Sequence, residues 1–165
     1  MLQAERLLTA LCKANVEFVV IGGMAAVAQG SAYVTADLDI CYQREAKNYE
    51  RLSQALQSFK PRLRGAPDDL PFLLDAPTLK AGMNFTLATA VGDLDLIGEV
   101  PGLGVYEAVK IQAEDVELYG FHVQVLTLEG LISSKQAAGR PKDLRLLPEL
   151  QALQALRGES PKDKK

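Results

Sequence analysis

The motif Asp-Leu-Asp occurs twice, each time at the start of a segment with the apolar pattern of a β-strand. The first copy spans Asp37 to Asp39, in a predicted strand over residues 37–42, and the second spans Asp93 to Asp95. Side chains alternate faces along a strand, so Asp37 and Asp39 are predicted to point the same way, with Cα atoms ~7 Å apart. Aspartate is disfavoured in strands, and like charges on adjacent strands repel. Three or four carboxylates on one sheet face are therefore difficult to explain without a bound cation.

The cation that this pattern favours is Mg²⁺, because a hard divalent ion prefers oxygen ligands and keeps positions for water or substrate phosphates. A simpler interpretation is that Asp37 and Asp39 lie on the solvated face of a half-covered strand. Asp93 is predicted at a turn, which it could merely begin, whereas Asp95 lies within its strand between two leucines. The second copy of the motif strengthens the metal interpretation more than either copy does alone.

A pair of glycines follows the first predicted strand. Residues 16–21 (VEFVVI) form an apolar run rich in β-branched side chains, and Gly22 and Gly23 then open a short predicted helix that Gly30 closes. Glycines allow a tight turn and a close approach of a ligand to the backbone, and the NH groups of the helix would face an anion, ideally a phosphate. The alternative is that Gly-Gly is simply a common way to turn.

The remaining pattern mixes helices and strands without regular alternation. Helices are predicted over residues 2–14, 45–59, 128–138 and 143–157, and further strands over residues 84–90, 94–97, 109–118 and 121–126. Residues 60–82 contain four prolines, which disfavour long helices and central strands, and an irregular region of this length inside a small domain is more often functional than idle. We therefore expect an α+β fold, a mixed β-sheet flanked by α-helices, rather than a parallel doubly wound sheet. One domain is expected over residues 1–157, with a disordered tail over residues 158–165.

Composition narrows the class of protein. The 165 residues contain no apolar run of about 18, so no membrane-spanning helix is expected, and the N-terminus is predicted to be an amphipathic helix rather than a signal peptide. Cys12 and Cys41 are too few for a disulfide scaffold, which favours a reduced, cytoplasmic protein in which both are small apolar side chains. A net charge of -3 argues against a protein that coats DNA. Residues 128–165 are nevertheless basic and could bind nucleic acid locally.

The basic segment around residues 133–143 contains further candidate site residues. Lys135 and Arg140 could contact phosphates across the acidic site. The alternative is a helix C-terminus capped by Gly139, with cations that complement the helix dipole and with Asp143 opening the next helix. His122, the only histidine, is expected to be structural because no partner for it is apparent.

These motifs together resemble a known family. The order of Gly22-Gly23, residues 35–40 (TADLDI) and residues 94–97 (LDLI) resembles the nucleotidyltransferase fold of the DNA polymerase β superfamily. The small bacterial members near the AbiEii-like toxins and minimal nucleotidyltransferases are the most similar, since residues 131–135 and 139–143 resemble the C-terminal pattern of that toxin-like group. The resemblance covers residues 16–150.

The resemblance implies transfer of a nucleoside monophosphate from an NTP to an acceptor, with release of pyrophosphate. It implies that Asp37, Asp39 and Asp95 are catalytic and hold two Mg²⁺ ions. It also implies nucleotide contacts from Gly22, Gly23, Thr35, Lys135 and Arg140. Two positions depart from the family pattern: Gly23 stands where many members have serine, and Tyr33 where related chains often have arginine.

Three functions remain open at this point. The first is a nucleotidyltransferase with tRNA or a protein as its acceptor. Such an enzyme could be one component of a toxin–antitoxin pair, with a cognate partner protein. The second is a non-catalytic nucleotidyltransferase-fold module that binds a partner protein. The third is another Asp-x-Asp enzyme, a phosphatase or glycosyltransferase, which Ile40 disfavours because phosphatases of that kind have a small or hydroxyl residue there.

Overall fold

The structure, a computed structural model, describes residues 1–158 and is built on a seven-stranded mixed sheet in the order β3-β4-β5-β2-β1-β9-β8. Its strands are β1 (Phe18–Ile21), β2 (Asp37–Tyr42), β3 (Arg62–Leu63), β4 (Phe85–Thr89), β5 (Gly92–Ile97), β8 (Ala113–Leu118) and β9 (Phe121–Leu126). A separate two-stranded hairpin consists of β6 (Glu99–Val100) and β7 (Gly104–Val105). The mixed sheet confirms the expected α+β architecture.

Helices flank the sheet. They are α1 (Ala4–Lys13), α2 (Gly22–Ala28), α3 (Ala46–Leu56), α4 (Ala76–Ala81), α5 (Tyr106–Ile111), α6 (Leu128–Ala138) and α7 (Pro141–Gly158), with a 3₁₀ turn at Gln57–Phe59. Among residues 1–158, no helix combines the length and apolar character needed to cross a membrane.

The core forms because apolar residues recur at the spacing of each element. Leu7, Leu8 and Leu11 form a fully buried stripe on α1, and all four residues of β1 are buried at the centre of the sheet. In β2 the alternation is strict at its start, with Leu38 and Ile40 fully buried and the aspartates partly exposed. The apolar side of β2 therefore fixes which way its carboxylates point.

The arrangement of β2 beside β5 positions the site. These two strands are parallel, with Asp37 opposite Asp93 and Asp39 opposite Asp95. A parallel pair needs a crossover connection, and here α3, the edge strand β3, α4 and the inner strand β4 provide it. The two Asp-Leu-Asp motifs are consequently side by side and in register.

Three details of the predicted elements were wrong. Residues 109–111 are helical rather than extended, because α5 buries Tyr106 and Val109 on one face before β8 begins. Asp93 belongs to β5, since the turn comprises residues 90–91. The last helix reaches Gly158, the first residue of the predicted tail, while residues 159–165 lie outside the described residues.

The irregular region and the cysteines match the predictions more closely. Residues 60–82 contain one two-residue edge strand and the six-residue helix α4, and neither a long helix nor a central strand forms there. Cys41 is buried and Cys12 is half-buried, as expected for small apolar side chains.

Candidate functional site

The three predicted carboxylates converge at one point of the sheet. Asp37, Asp39 and Asp95 each place one oxygen within 4.8 Å of the others. Their convergence follows from the in-register pairing of β2 with β5 and from the alternation that buries the leucines between them. The predicted juxtaposition of the two motifs is thus realised in the fold.

Asp39 is the most perturbed member of this cluster. Its Oδ1 atom is buried and accepts no hydrogen bond from any residue in the described part of the chain. Burial raises the pKa of Asp39 to about 7, with further upward contributions from the charges of Asp37 and Asp95 and from a hydrogen bond with Asp95, while the charge of Lys135 lowers it. A buried carboxylate oxygen without a partner is costly, so a bound cation would relieve a real penalty.

The first helix after β1 brings its backbone against Asp39. Gly22 has φ +64°, and a Cβ atom at this position would collide with the carboxylate of Asp39. Glycine is therefore required here both for the backbone conformation and for space. Gly22 lines the cavity beside the cluster.

Gly23 and Thr35 lie behind this surface. Gly23 is buried, and a Cβ atom there would lie 2.7 Å from a ring carbon of Tyr33 and 2.9 Å from Thr35 Oγ1. The Thr35 hydroxyl donates to the backbone oxygen of Asp37 at 2.7 Å. In this structure Gly23 and Thr35 support the cavity wall and the start of β2, and neither is among the residues that line the cavity.

A cavity of about 410 Å³ connects the carboxylates to the junction of α6 and α7. One side, which we call the acidic wall, comprises Asp37, Asp39 and Asp95. The opposite side, the basic wall, comprises Lys135, Arg140 and Lys142. The structure therefore brings both predicted cations, Lys135 and Arg140, to the same cavity as the predicted carboxylates.

Asp143 organises the basic wall. It is fully buried and lies 3.1 Å from Lys135 Nζ and 2.7 Å from Arg140 Nε. Burial by itself would raise the pKa of Asp143, but hydrogen bonds from Arg140 and Lys135, together with their charges, bring it below its ordinary value. Asp143 also accepts from the backbone N of Arg140 at 3.2 Å, but it lies within the first turn of α7, which begins at Pro141 rather than at the predicted Asp143.

Arg64 is a member of the site that the sequence did not reveal. Its Nη2 atom lies 2.6 Å from Asp95 Oδ1, and its Nε atom lies 3.2 Å from Asp93 Oδ2. Burial by itself would lower the pKa of Arg64, but the hydrogen bond to Asp95 and the charges of Asp95, Asp93 and Asp37 raise it, so this side chain is cationic. In the sequence, the expected repulsion among the carboxylates indicated that a cation lies nearby. It did not indicate that a residue from the segment 60–82 supplies one.

His122 has a partner, contrary to expectation. Its Nδ1 atom lies 3.0 Å from Asp115 Oδ1, across the β8–β9 pair, and both side chains are exposed. It is not among the residues that line the cavity. The pair is a surface contact outside the candidate site.

Comparison with known proteins identifies the fold. No protein-family model and no curated protein matches the chain. Among solved structures, a candidate nucleotidyltransferase from Thermotoga maritima is similar over 97% of both chains, with TM-score 0.52 and 16% identity. ANT(2'')-Ia, solved in complex with adenylyl-2''-tobramycin, is similar over 93% of both chains, with TM-score 0.53 and 14% identity.

A third similar structure is a nucleotidyltransferase-like protein from Paracoccidioides brasiliensis, which covers 99% of this chain and 91% of its own, with TM-score 0.50 and 13% identity. The chain has the nucleotidyltransferase fold. At these identities the likeness shows the fold alone.

Proposed function

We propose that this protein is a Mg²⁺-dependent nucleotidyltransferase, which transfers a nucleoside monophosphate from an NTP to an acceptor and releases pyrophosphate. The observation that carries the proposal is the convergence of Asp37, Asp39 and Asp95 across one cavity from Lys135 and Arg140. A triphosphate bound with a divalent cation needs a ligand set of this kind, with carboxylates for the metal and cations for phosphate oxygens.

The residues present fit a hard divalent cation. The ligand atoms are all carboxylate oxygens, and one of them, Asp39 Oδ1, is buried and lacks a hydrogen-bond partner within residues 1–158. Asp37, Asp39 and Asp95 would hold two Mg²⁺ ions. When bound, Mg²⁺ neutralises charge on the phosphates and on the attacking and leaving oxygens.

The other residues supply binding and orientation. Gly22 has no Cβ atom and so leaves room for the carboxylate of Asp39, and it lines the cavity. Lys135 and Arg140 are held by Asp143 in defined positions, so less side-chain freedom is lost when they bind phosphate oxygens. Gly23 and Thr35 contribute by supporting the backbone of this wall.

The acceptor that we propose is tRNA or a protein, and the branch that we propose is the AbiEii toxin-like group, as one component of a toxin–antitoxin pair in the cytoplasm. Support comes from the pattern of residues 131–135 and 139–143 and from the net positive charge of residues 128–165. RNA binding through that segment would weaken as the salt concentration rises. Since ANT(2'')-Ia was solved with an adenylylated aminoglycoside, a small hydroxyl acceptor belongs in the same test.

One observation favours a second candidate, a non-catalytic module that keeps the fold to bind a partner protein. Arg64 already forms an ion pair with Asp95, the third carboxylate. If that ion pair excludes metal permanently, the site cannot support transfer. The two candidates are separated by whether label is transferred at all.

The test is a label-transfer assay with purified protein, each α-phosphate-labelled NTP, Mg²⁺ and a cell extract. Asp39→Asn is the inactive variant, and Asp93→Asn is its matched control, since Asp93 is an aspartate of the neighbouring strand, in register with Asp37, that lies outside the converging triad. Label that requires Asp39 and is released by RNase identifies an RNA acceptor, and release by protease identifies a protein acceptor. Label in the low-mass fraction identifies a small acceptor, and no transfer with any NTP would favour the binding module.

A further inference from the structure

We propose that Arg64 is a positioning residue that sets the cation affinity of the acidic wall by holding one oxygen of Asp95. The inference rests on the proposed function, because the cation concerned is the divalent ion that this function requires. Arg64 acts through Asp95 and is not itself placed against a substrate.

The guanidinium is anchored from two sides. Its Nη2 atom donates to Asp95 Oδ1 at 2.6 Å and to the backbone oxygen of Leu87 at 2.9 Å. The backbone N of Arg64 donates to the oxygen of Thr86 at 2.9 Å, and Thr86 is the register partner of Asp95. Pairing of the segment at Arg64 with β4 therefore places the side chain of Arg64 beside Asp95.

The surroundings make this ion pair different from one on the surface. The side chain of Asp95 is 17% exposed and that of Arg64 is 31% exposed, whereas the side chains of the nearby Arg62–Asp68 pair are 57% and 93% exposed. Screening by water is weaker where the pair is partly buried. In the part of the chain that the structure describes, Arg64 forms an ion pair with a member of the triad, whereas Lys135 forms its ion pair with Asp143.

Two opposing effects on the acidic wall follow. Without metal, the positive charge of Arg64 reduces the repulsion among Asp37, Asp39 and Asp95 and stabilises the fold. A divalent ion that binds Asp95 is repelled by the same charge and shares that carboxylate with it. Arg64 therefore weakens metal binding. The affinity of the acidic wall for the divalent ion depends on the competition between that ion and Arg64 for Asp95, and not on the carboxylates alone.

The experiment is a calorimetric titration of Mn²⁺ into the full chain, with thermal unfolding in EDTA as a second readout. Arg64→Gln removes the charge, Arg64→Met is a second neutral variant in case the first folds poorly, and Arg64→Lys keeps the charge. Arg62→Gln is the matched control, because Arg62 lies two residues before Arg64 and forms an exposed ion pair.

We expect Arg64→Gln and Arg64→Met to bind Mn²⁺ about tenfold more tightly than the wild type, from the removal of one charge near the ion. Arg64→Lys is expected within about threefold of wild type on the same argument, and Arg62→Gln is expected to be unchanged. In EDTA the neutral variants at position 64 should melt at a lower temperature than Arg62→Gln.

Equal or weaker Mn²⁺ binding by both neutral variants would overturn the role of Arg64 while leaving the proposed metal site intact. If the wild type shows no Mn²⁺ binding that depends on Asp39, the result instead contradicts the proposed function. In that case, Mn²⁺ binding gained by Arg64→Gln and lost again in the Asp39→Asn double variant would still support the inference. No gain would overturn both.

Discussion

The acidic and basic walls of the cavity differ in how their charges are compensated. On the basic wall, Lys135 and Arg140 both pair with Asp143, which is fully buried and lies between them. On the acidic wall three carboxylates converge, and the ion pair with Arg64 reaches only Asp95 among them. On the basic wall one buried carboxylate thus holds two cations in place and leaves net positive charge, whereas the acidic wall retains negative charge and an oxygen without a partner within residues 1–158.

The difference shows where a ligand is needed. A buried carboxylate that binds two cations fixes their orientation. Phosphate can then bind their remaining N–H donors with little rearrangement of the side chains. A buried carboxylate oxygen without a partner, such as Asp39 Oδ1 within residues 1–158, is instead a penalty that only an added cation removes. We infer that the basic wall is preorganised and that the acidic wall is completed by its ligand.

Asp39→Asn tests the acidic wall with the largest expected effect. Because a metal ligand is lost, transfer activity should fall by a factor of about 10³ or more. Repulsion among the carboxylates is also relieved, so the melting temperature in metal-free buffer should stay equal or rise. Asp93→Asn should retain most of the activity, and a clear loss of metal-free stability in Asp39→Asn would contradict the metal site.

Gly22→Ala tests the close approach of the backbone to Asp39. The new Cβ atom collides with the carboxylate, so we expect a loss of about 2 kcal/mol in the free energy of unfolding relative to a control that shares the left-handed backbone. The control is Gly120→Ala, where φ is +82° but nothing lies within 4 Å of the added atom. Chemical denaturation of both variants measures the difference, and equal losses would show that space beside Asp39 is not limiting.

The pH dependence of metal-free stability tests the same carboxylate. Since the fold raises the pKa of Asp39 from 3.8 to about 7, the folded protein holds a proton that the unfolded chain has lost between these values. Stability should therefore decrease as pH rises from 5 to 7, by about 2 kcal/mol from this group. Denaturation at several pH values in EDTA should show a flatter profile for Asp39→Asn than for wild type, and identical profiles would contradict the assignment.

Lys135→Ala tests the basic wall and has the smallest expected effect. Loss of one phosphate contact should weaken NTP binding by about tenfold, and Asp143 should keep Arg140 as a partner, which limits the loss of stability. Arg145→Ala removes the same charge from an exposed position of α7 and is the control. If calorimetry shows equal NTP affinity for the two variants, Lys135 has only a structural role.

The acidic wall could be predicted from sequence because its cause is local. Alternation along a strand sets which way Asp37 and Asp39 point, and the repeated motif carries the same rule to Asp95. Helices with a clear amphipathic pattern, such as α1 and α3, could be predicted for the same reason. By contrast, α5 has only six residues, and a run this short does not separate a helix from a strand.

Arg64 and the full role of Asp143 could not be predicted because both depend on tertiary contacts. Arg64 reaches Asp95 only after the chain at β3 pairs with β4, and nothing in a proline-rich region announces a two-residue edge strand. Asp143 has the sequence signature of a helix start, but its complete burial depends on the packing of α7 against α6.

The most direct test of the account is diffraction from crystals grown with Mn²⁺ and a non-hydrolysable NTP analogue, at a wavelength where Mn²⁺ scatters anomalously. The account predicts anomalous density among the carboxylates of Asp37, Asp39 and Asp95, with the triphosphate between that density and Lys135. Mn²⁺ bound elsewhere, or a nucleotide outside this cavity while Arg64 remains on an empty triad, would contradict it.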